Sequence, residues 1–307
     1  MLHKKIHSEL LLLITAMIWG FAFVAQRSGM DHIGPFTFNG LRFILGASSL
    51  VPVMFWLQNR QLKKGGQQTT PFTHRTHLIG GLSMGCVLFI AASLQQAGLI
   101  YTSVGNAGFI TSLYIIFVPI ICLLFGQKTH INVWIGAVLA LIGLYLLSIK
   151  GNLTISYGDL LQLIGAVFWA LHIIIIGHFS PKGDAIKLSI IQFYICGFAS
   201  LAIGLTIETF ILKSILSVLP ELLYVSILST SVAYTLQVVA QKKVAPSNAA
   251  IIFSLEAVFA LLGGWLILNE SMELKGLIGC SLMFIGVLIS QLKNLNKTSK
   301  NKMINPS

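Results

Sequence analysis

Asn106–Ile120 reads NAGFITSLYIIFVPI and Asn248–Leu262 reads NAAIIFSLEAVFALL, one stretch written twice at an offset of 142. Other matches surround it. WIGAVLALIGLYLL from Trp134 falls on GLIGCSLMFIGVLI from Gly276, with Gly136 on Gly279 and Gly143 on Gly286 after a one-residue slip. LITAMIWG around Trp19 falls on LIGAVFWA around Trp169, and LeuGln at 94–95 falls on LeuGln at 236–237. Matches in the same order with offsets of 142 to 150 point to a duplicated unit.

Composition sets the solvent of that unit. Hydrophobic residues make up 55% of the 307 and charged ones 9%, and the mean hydropathy is +0.85. Such a chain cannot build the charged surface of a soluble domain, so its solvent is lipid. A bilayer core needs about 17 to 25 apolar residues per helix. Ten runs qualify: Ser8–Gln26, Pro35–Leu57, His77–Tyr101, Val104–Phe125, Ile131–Ile149, Asp159–Phe179, Leu188–Thr206, Val218–Gln241, Pro246–Leu268 and Gly276–Leu292. The longest connection, Gln58–Arg75, carries GlyGly and ThrThrPro and reads as a polar loop. The expected fold is an all-α membrane protein of ten transmembrane helices. Its two repeats span residues 8–149 and 159–292, and a polar cytoplasmic tail spans 293–307. Five is odd, so the second repeat starts on the opposite side of the membrane and the repeats are inverted.

The net charge of +11 does not indicate nucleic acid, because Lys and Arg sit in tails and connections rather than on a helix face. With the N-terminus inside, fifteen of the 20 basic residues fall in the cytoplasm. Only Arg27, Lys150, Lys213 and Lys275 fall outside, and Arg42 lies within a span. This sorting places both termini in the cytoplasm, with the chain multi-pass in the cytoplasmic (inner) membrane. Lys4 and Lys5 precede the first run, but no clean small-residue cleavage site follows, so it reads as retained. Cys86, Cys122, Cys196 and Cys280 lie in apolar runs without metal-ligand spacing and read as packing residues. No cofactor or metal is implied.

The motif order resembles the drug/metabolite transporter superfamily, in its EamA-domain branch. The residues that carry the resemblance are LITAMIWGFAFVAQR in the first run, FTFNGLRFILGA in the second and NAGFITSLYIIFVPIICLLFGQK in the fourth. LIGAVFWALH in the sixth run and SLEAVFALLGGWLILNESM in the ninth complete it, followed by the Gly-spaced tenth. The likeness covers about residues 8–292. It implies a basket in which runs 1–4 and 6–9 surround a central cavity, with runs 5 and 10 as outer supports. It also implies movement of amino acids, related metabolites, nucleotide derivatives or drugs, mostly outwards. The sequence departs from the common pattern at SerLeuGluAla, 254–257, where many relatives have GluPro, and at Gln127-Lys128, where many have an acidic residue.

Polar groups inside the runs are the candidate site. Arg42 lies seven residues into the second run, about 10 Å deep at 1.5 Å per residue. A central Arg costs roughly 2.5–3.5 kcal/mol on insertion scales, so it must face protein or water. It is either an anchor for a substrate carboxylate or phosphate, or a snorkelling, fold-stabilising group. Its repeat counterpart is Gln192. Glu256 lies near mid-span in the ninth run opposite its counterpart Tyr114, and is either a proton carrier and ammonium ligand or a hydrogen-bonded core group. Trp19 and Trp169 are aligned mid-span indoles that either line the cavity or pack helices. Gln95 and Gln237, another aligned pair, offer amides to a substrate or to neighbouring helices. Glu270 falls at an outer span end, His172 reads as a structural histidine, and Ser247 reads as the cap of the ninth helix.

No GxxxxGK[ST] loop couples the chain to ATP, and HExxH, GxSxG and paired catalytic aspartates are missing. The reading is therefore not an enzyme but a secondary transporter, a permease exporting an amino acid or related zwitterion, with proton or ion coupling open. The alternatives are an uptake carrier or exchanger for a nucleoside-derived metabolite such as S-adenosylmethionine, and a membrane sensor without transport. The Gly-spaced faces of runs 3, 5 and 10 suit close helix packing, within one chain or in a homodimer.

Overall fold

The computed structural model describes residues 2–63, 74–127, 129–148, 156–267 and 274–304, and every regular element among them is helical. Lys64, Lys128, Lys150 and Glu270 lie outside the described residues. The first three helices are α1 (Leu2–Gly29), α2 (Pro35–Lys63) and α3 (His74–Gly98). Then come α4 (Val104–Thr111), α5 (Tyr114–Leu124), α6 (Ile131–Ser148), α7 (Tyr157–Phe179) and α8 (Ala185–Ile207). Short α9 (Leu212–Ser217) and α10 (Leu219–Leu223) lead into a π-helix, Tyr224–Tyr234, and α11 (Thr235–Ala240). Finally α12 (Pro246–Phe253), α13 (Glu256–Ile267) and α14 (Leu274–Ile304) close the chain. Eight stretches are long and apolar enough to cross a membrane, and two shorter apolar helices, Ile131–Leu146 and Leu274–Ser290, accompany them. The expected polar tail is helical as far as Ile304, continuous with α14.

Three expected runs are not single α-helices. The fourth and ninth each break at a Ser-Leu pair, Ser112-Leu113 and Ser254-Leu255, at the same place in the two aligned sequence stretches. Hydrogen bonds tighten to i→i+3 at both: Leu113 N donates to Ile110 O at 3.1 Å, and Leu255 N to Ile252 O at 3.2 Å. Ser254 Oγ also donates to Ile251 O at 2.8 Å, a back-bond that bends helices. Pro119 is not the shared cause, since its counterpart is Leu261. The eighth run is π-wound in the middle, and Ser231 Oγ reaches back five residues to Ser226 O at 3.0 Å. Ser247 does not cap α12; Ala245 holds that position without a side-chain bond.

Small residues set the packing. α6 and α14 run against each other so closely that a Cβ on either Gly136 or Gly286 would lie 2.6 Å from the other's carbonyl oxygen. Gly143 and Gly279 make the same kind of approach one heptad away. These faces therefore meet within one chain. Around the centre, α2 lies on α8, α3 on α7, and α1 on α13 and the π-helix. On α3, Gly81 and Gly85 receive Ile191 and Ile195 of α8. Gly126, at φ 73°, ends α5 in the left-handed turn that glycine favours: Gln127 N bonds Cys122 O and Gly126 N bonds Leu123 O.

Two ties fasten helix ends. Both oxygens of Glu208, just past α8, accept the N–H groups of Phe36 and Thr37, at 2.9 and 2.8 Å. The carboxylate thus fills the donor-rich, positive end of α2. At α7, Ser156 and Asp159 form a capping box, and Asp159 Oδ1 also accepts from Thr102 Oγ1 at 2.6 Å.

Candidate functional site

The two broken helices meet at the middle of the bundle. Tyr114 and Glu256 are the first residues of α5 and α13, and Tyr114 Oη donates to Glu256 Oε1 at 2.8 Å. Both border a central cavity of about 30 Å³. About 10–15 Å³ on this measure admits one water, so the space holds a few waters and no metabolite. The helices around it must part to admit a metabolite.

Seven residues singled out in the sequence line this cavity: Trp19, Arg42, Gln95, Tyr114, Trp169, Gln237 and Glu256. Gln192 is held elsewhere, accepting from His172 Nε2 at 2.9 Å. The counterpart of Arg42 is thus engaged by a histidine behind the aromatic wall. Phe23, Gln26, Thr111, Ile173, Ser229 and Tyr234 complete the lining. None of these stood out in the sequence. Gln26 and Tyr234 have Ile176 and Ala92 at the equivalent positions, so repeat alignment carried no signal for them.

The two charges have neutral partners. Arg42 Nη1 donates to Gln26 Oε1 at 2.5 Å, and Gln26 Nε2 is fixed by Ala22 O at 3.1 Å. The guanidinium also lies 4.6 Å from the Phe43 ring centroid, a cation–π placement. Its Nε has no hydrogen-bond partner, and the residue is only 2% exposed. Glu256 is 4% exposed. An N–H and a carboxylate thus border one cavity without bridging each other.

Aromatic rings form the wall between them. Tyr234 sits 4.7 Å from Trp19 and 6.2 Å from Trp169 by ring centroids, stacked on the latter at 23°. The two aligned indoles differ in their hydrogen bonding. Trp19 Nε1 donates to Ser229 O at 3.2 Å, a carbonyl presented by the π-helix. Trp169 Nε1, in contrast, is buried without a partner. Gln237 Oε1 is likewise buried and unpartnered. Gln95, by contrast, belongs to a closed set: its Nε2 donates to Thr111 Oγ1 (3.4 Å), Thr111 to Gln162 Oε1 (3.1 Å), and Gln162 Nε2 to Gln95 O (2.8 Å). Three residues of the cavity lining thus each hold a buried polar atom without a partner: the donors Arg42 Nε and Trp169 Nε1, and the acceptor Gln237 Oε1. Among the described residues, no three His, Cys, Asp or Glu side chains converge as a metal would need.

Known proteins extend this picture. The EamA-like transporter family matches the chain twice, over residues 7–149 and 156–292. An Archaeoglobus fulgidus protein named "Uncharacterized transporter" is 30% identical over 94% of this chain and 87% of its own. A Bacillus subtilis protein named "Uncharacterized transporter YoaV" is 24% identical over 89% and 93%. An Escherichia coli protein named "Probable amino-acid metabolite efflux pump" is 26% identical over 52% of this chain and 50% of its own. A crystal structure with 17% identity superposes over 93% of this chain and 98% of its own at a TM-score of 0.70, which speaks for the fold. With both halves matched and the relatives named as transporters, this multi-pass membrane chain belongs to the EamA-like transporter family.

Proposed function

We propose that the chain is a secondary transporter that exports a small zwitterion of the amino-acid class across the cytoplasmic membrane. The observation that carries this reading is the pair of charges that share one cavity without neutralising each other. In this reading Arg42, whose Nε has no protein partner, takes a carboxylate, Glu256 takes an ammonium group, and the Trp169–Tyr234 wall takes the rest of the molecule. The name of the E. coli relative favours export of amino-acid metabolites.

In this reading the ten runs form two inverted five-helix repeats. The double family match, the aligned breaks at Ser112 and Ser254, and the reciprocal glycine contacts of α6 and α14 support it. Related halves can exchange conformations and open a midplane site to each side in turn. Glu256, tied to a phenol rather than a cation, is the group that would carry a proton through that cycle. The basic residues place both termini in the cytoplasm.

Flux is the test. Purified protein in vesicles, loaded with a panel of radiolabelled amino acids, should release one subset faster than protein-free vesicles, and Arg42→Ala should abolish that release. Equal leakage of every amino acid, with and without protein, would sink the reading. The stacked Trp169–Tyr234 pair also suits a flat nucleoside-derived cation, so labelled S-adenosylmethionine belongs in the same panel.

A further inference from the structure

We propose that a groove at the outer ends of α1, α3 and α4 is the external vestibule of the transport path, closed off from the cavity by an apolar plug built on Phe23 and Val104. The proposal rests on the transporter reading above and concerns where its site opens. The groove measures about 560 Å³, against about 30 Å³ for the cavity on the same measure. Its lining is mixed, with Arg27, Asp31, Thr102 and Ser103 beside Tyr101 and Val104. It is wide where the cavity is narrow.

Groove and cavity are stacked along the same helices. On α1, Phe23 and Gln26 line the cavity while Arg27 and Ser28 line the groove. Between Phe23 and Arg27 lies about one helical turn, or roughly 6 Å. On α4, Val104 lines the groove and Thr111, at the other end of the helix, lines the cavity. What separates the two spaces is one contiguous cluster: Phe23, Val24, Leu99, Val104, Ala107 and Ala260. Phe23 lines the cavity and Val104 the groove, so this cluster reaches from one space to the other. An apolar constriction of this kind blocks polar solutes by excluding water.

Other walls are stronger. Across the outer face, Glu208 ties α2 to the end of α8 through two main-chain bonds. Towards the cytoplasmic ends, Leu12, Val118, Cys122, Ala240 and Val244 belong to a much larger core. The plug also has a hinge beside it, of the same kind as the α12–α13 break that borders the larger core. α4 is a separate eight-residue helix, divided from α5 at Ser112-Leu113. It meets α13 through small residues, a Cβ on Gly108 lying 3.3 Å from Ala260 Cβ. Swinging α4 about the break would draw Val104 and Ala107 away from Phe23. Thr102, bonded to Asp159 of α7, is the tether that such a swing must stretch or break.

The test needs no substrate. In a chain with its four native cysteines replaced by serine, single cysteines at Ser103, Thr111 and Val118 report on groove, cavity and cytoplasmic-side core. A membrane-impermeant sulfonated maleimide is applied to right-side-out and inside-out vesicles, and labelling rates are measured. The expected result is fast labelling of Ser103→Cys and slow labelling of Thr111→Cys from the outside. Phe23→Ala, or the milder Val104→Ala if the first is poorly made, should speed Thr111→Cys by about tenfold or more and leave Val118→Cys unreactive. Three outcomes would overturn the proposal: Thr111→Cys reacting as fast as Ser103→Cys in the parent, a rate unmoved by either variant, or Val118→Cys rising in parallel. Should the whole pattern appear only in inside-out vesicles, the plug stands and the orientation assigned to the transporter fails.

Discussion

Tyr114 and Glu256 stand 142 residues apart, one in each of the two segments that match the family, and are joined by a direct 2.8 Å hydrogen bond. Any two-fold relation between the halves must pass near this bond, yet its two ends differ chemically: one donates and the other accepts. Tyr114→Phe leaves a buried carboxylate oxygen without its donor, and an orphaned buried group costs about 1–3 kcal/mol. Unfolding in detergent should show a loss of that size, smaller when Glu256→Gln is present as well. Glu256→Gln alone should leave folding nearly intact but make substrate flux independent of pH. Flux that keeps the parent's pH profile in Glu256→Gln would show that this carboxylate carries no proton.

Arg42 offers its site a planar fork already oriented by Gln26. Lysine keeps the charge but not the second donor edge. Arg42→Lys should therefore weaken binding of the transported substrate by roughly tenfold, the equivalent of about 1.4 kcal/mol, at unchanged membrane abundance. Isothermal titration of the purified protein would measure it, and an unchanged Kd would assign Arg42 to the scaffold.

The aligned indoles should respond differently to the same change. Trp19→Phe removes a bond to Ser229 O and should lower stability by about 1 kcal/mol. Trp169→Phe removes an N–H with no protein partner, so stability should hold while substrate affinity falls. Chemical denaturation and binding measured on the same two samples separate the cases; equal losses of stability would mean that the two indoles do the same work.

Gly136 and Gly286 are in main-chain contact. Replacing either with leucine should force α6 and α14 apart and abolish monodisperse protein in size-exclusion chromatography, whereas Gly105→Ala, with open space around it, should behave as the parent does.

Orientation is checked by reporters inserted after Arg60 and Lys182, expected in the cytoplasm, and after His32 and Phe210, expected outside. A reversed pattern would invert every assignment of inner and outer ends.

Much of the fold was legible because lipid imposes a simple demand. Every run must satisfy its own backbone, so length and hydropathy mark the spans, and glycines at seven-residue spacing mark close-packing faces on α6 and α14 without naming what each face meets. The breaks were not legible. Ser112-Leu113 and Ser254-Leu255 contain neither glycine nor proline, and the apolar run passes through them without a change in composition. The π-winding of Tyr224–Tyr234 was hidden for the same reason. In the site, a charge inside an apolar run marked Arg42 and Glu256, and repeat alignment marked the indoles. It pointed equally to Gln192, because alignment pairs positions and not the directions in which side chains face. It passed over Gln26 and Tyr234, whose counterparts are apolar.

The glycine seam between α6 and α14 has a mechanical consequence. Where two backbones touch, there are no long side chains whose rotamers could absorb sliding, so the pair behaves as a fixed post. Rearrangements that open the cavity must then be borne by the remaining helices, which turn against this post as doors against a jamb. The faces that the post shows to lipid, among them Ile135, Val138, Ile142, Leu277, Ile285 and Leu288, stay the same throughout. Changes in bilayer thickness or lateral pressure acting on that flank accordingly find no moving part there to push.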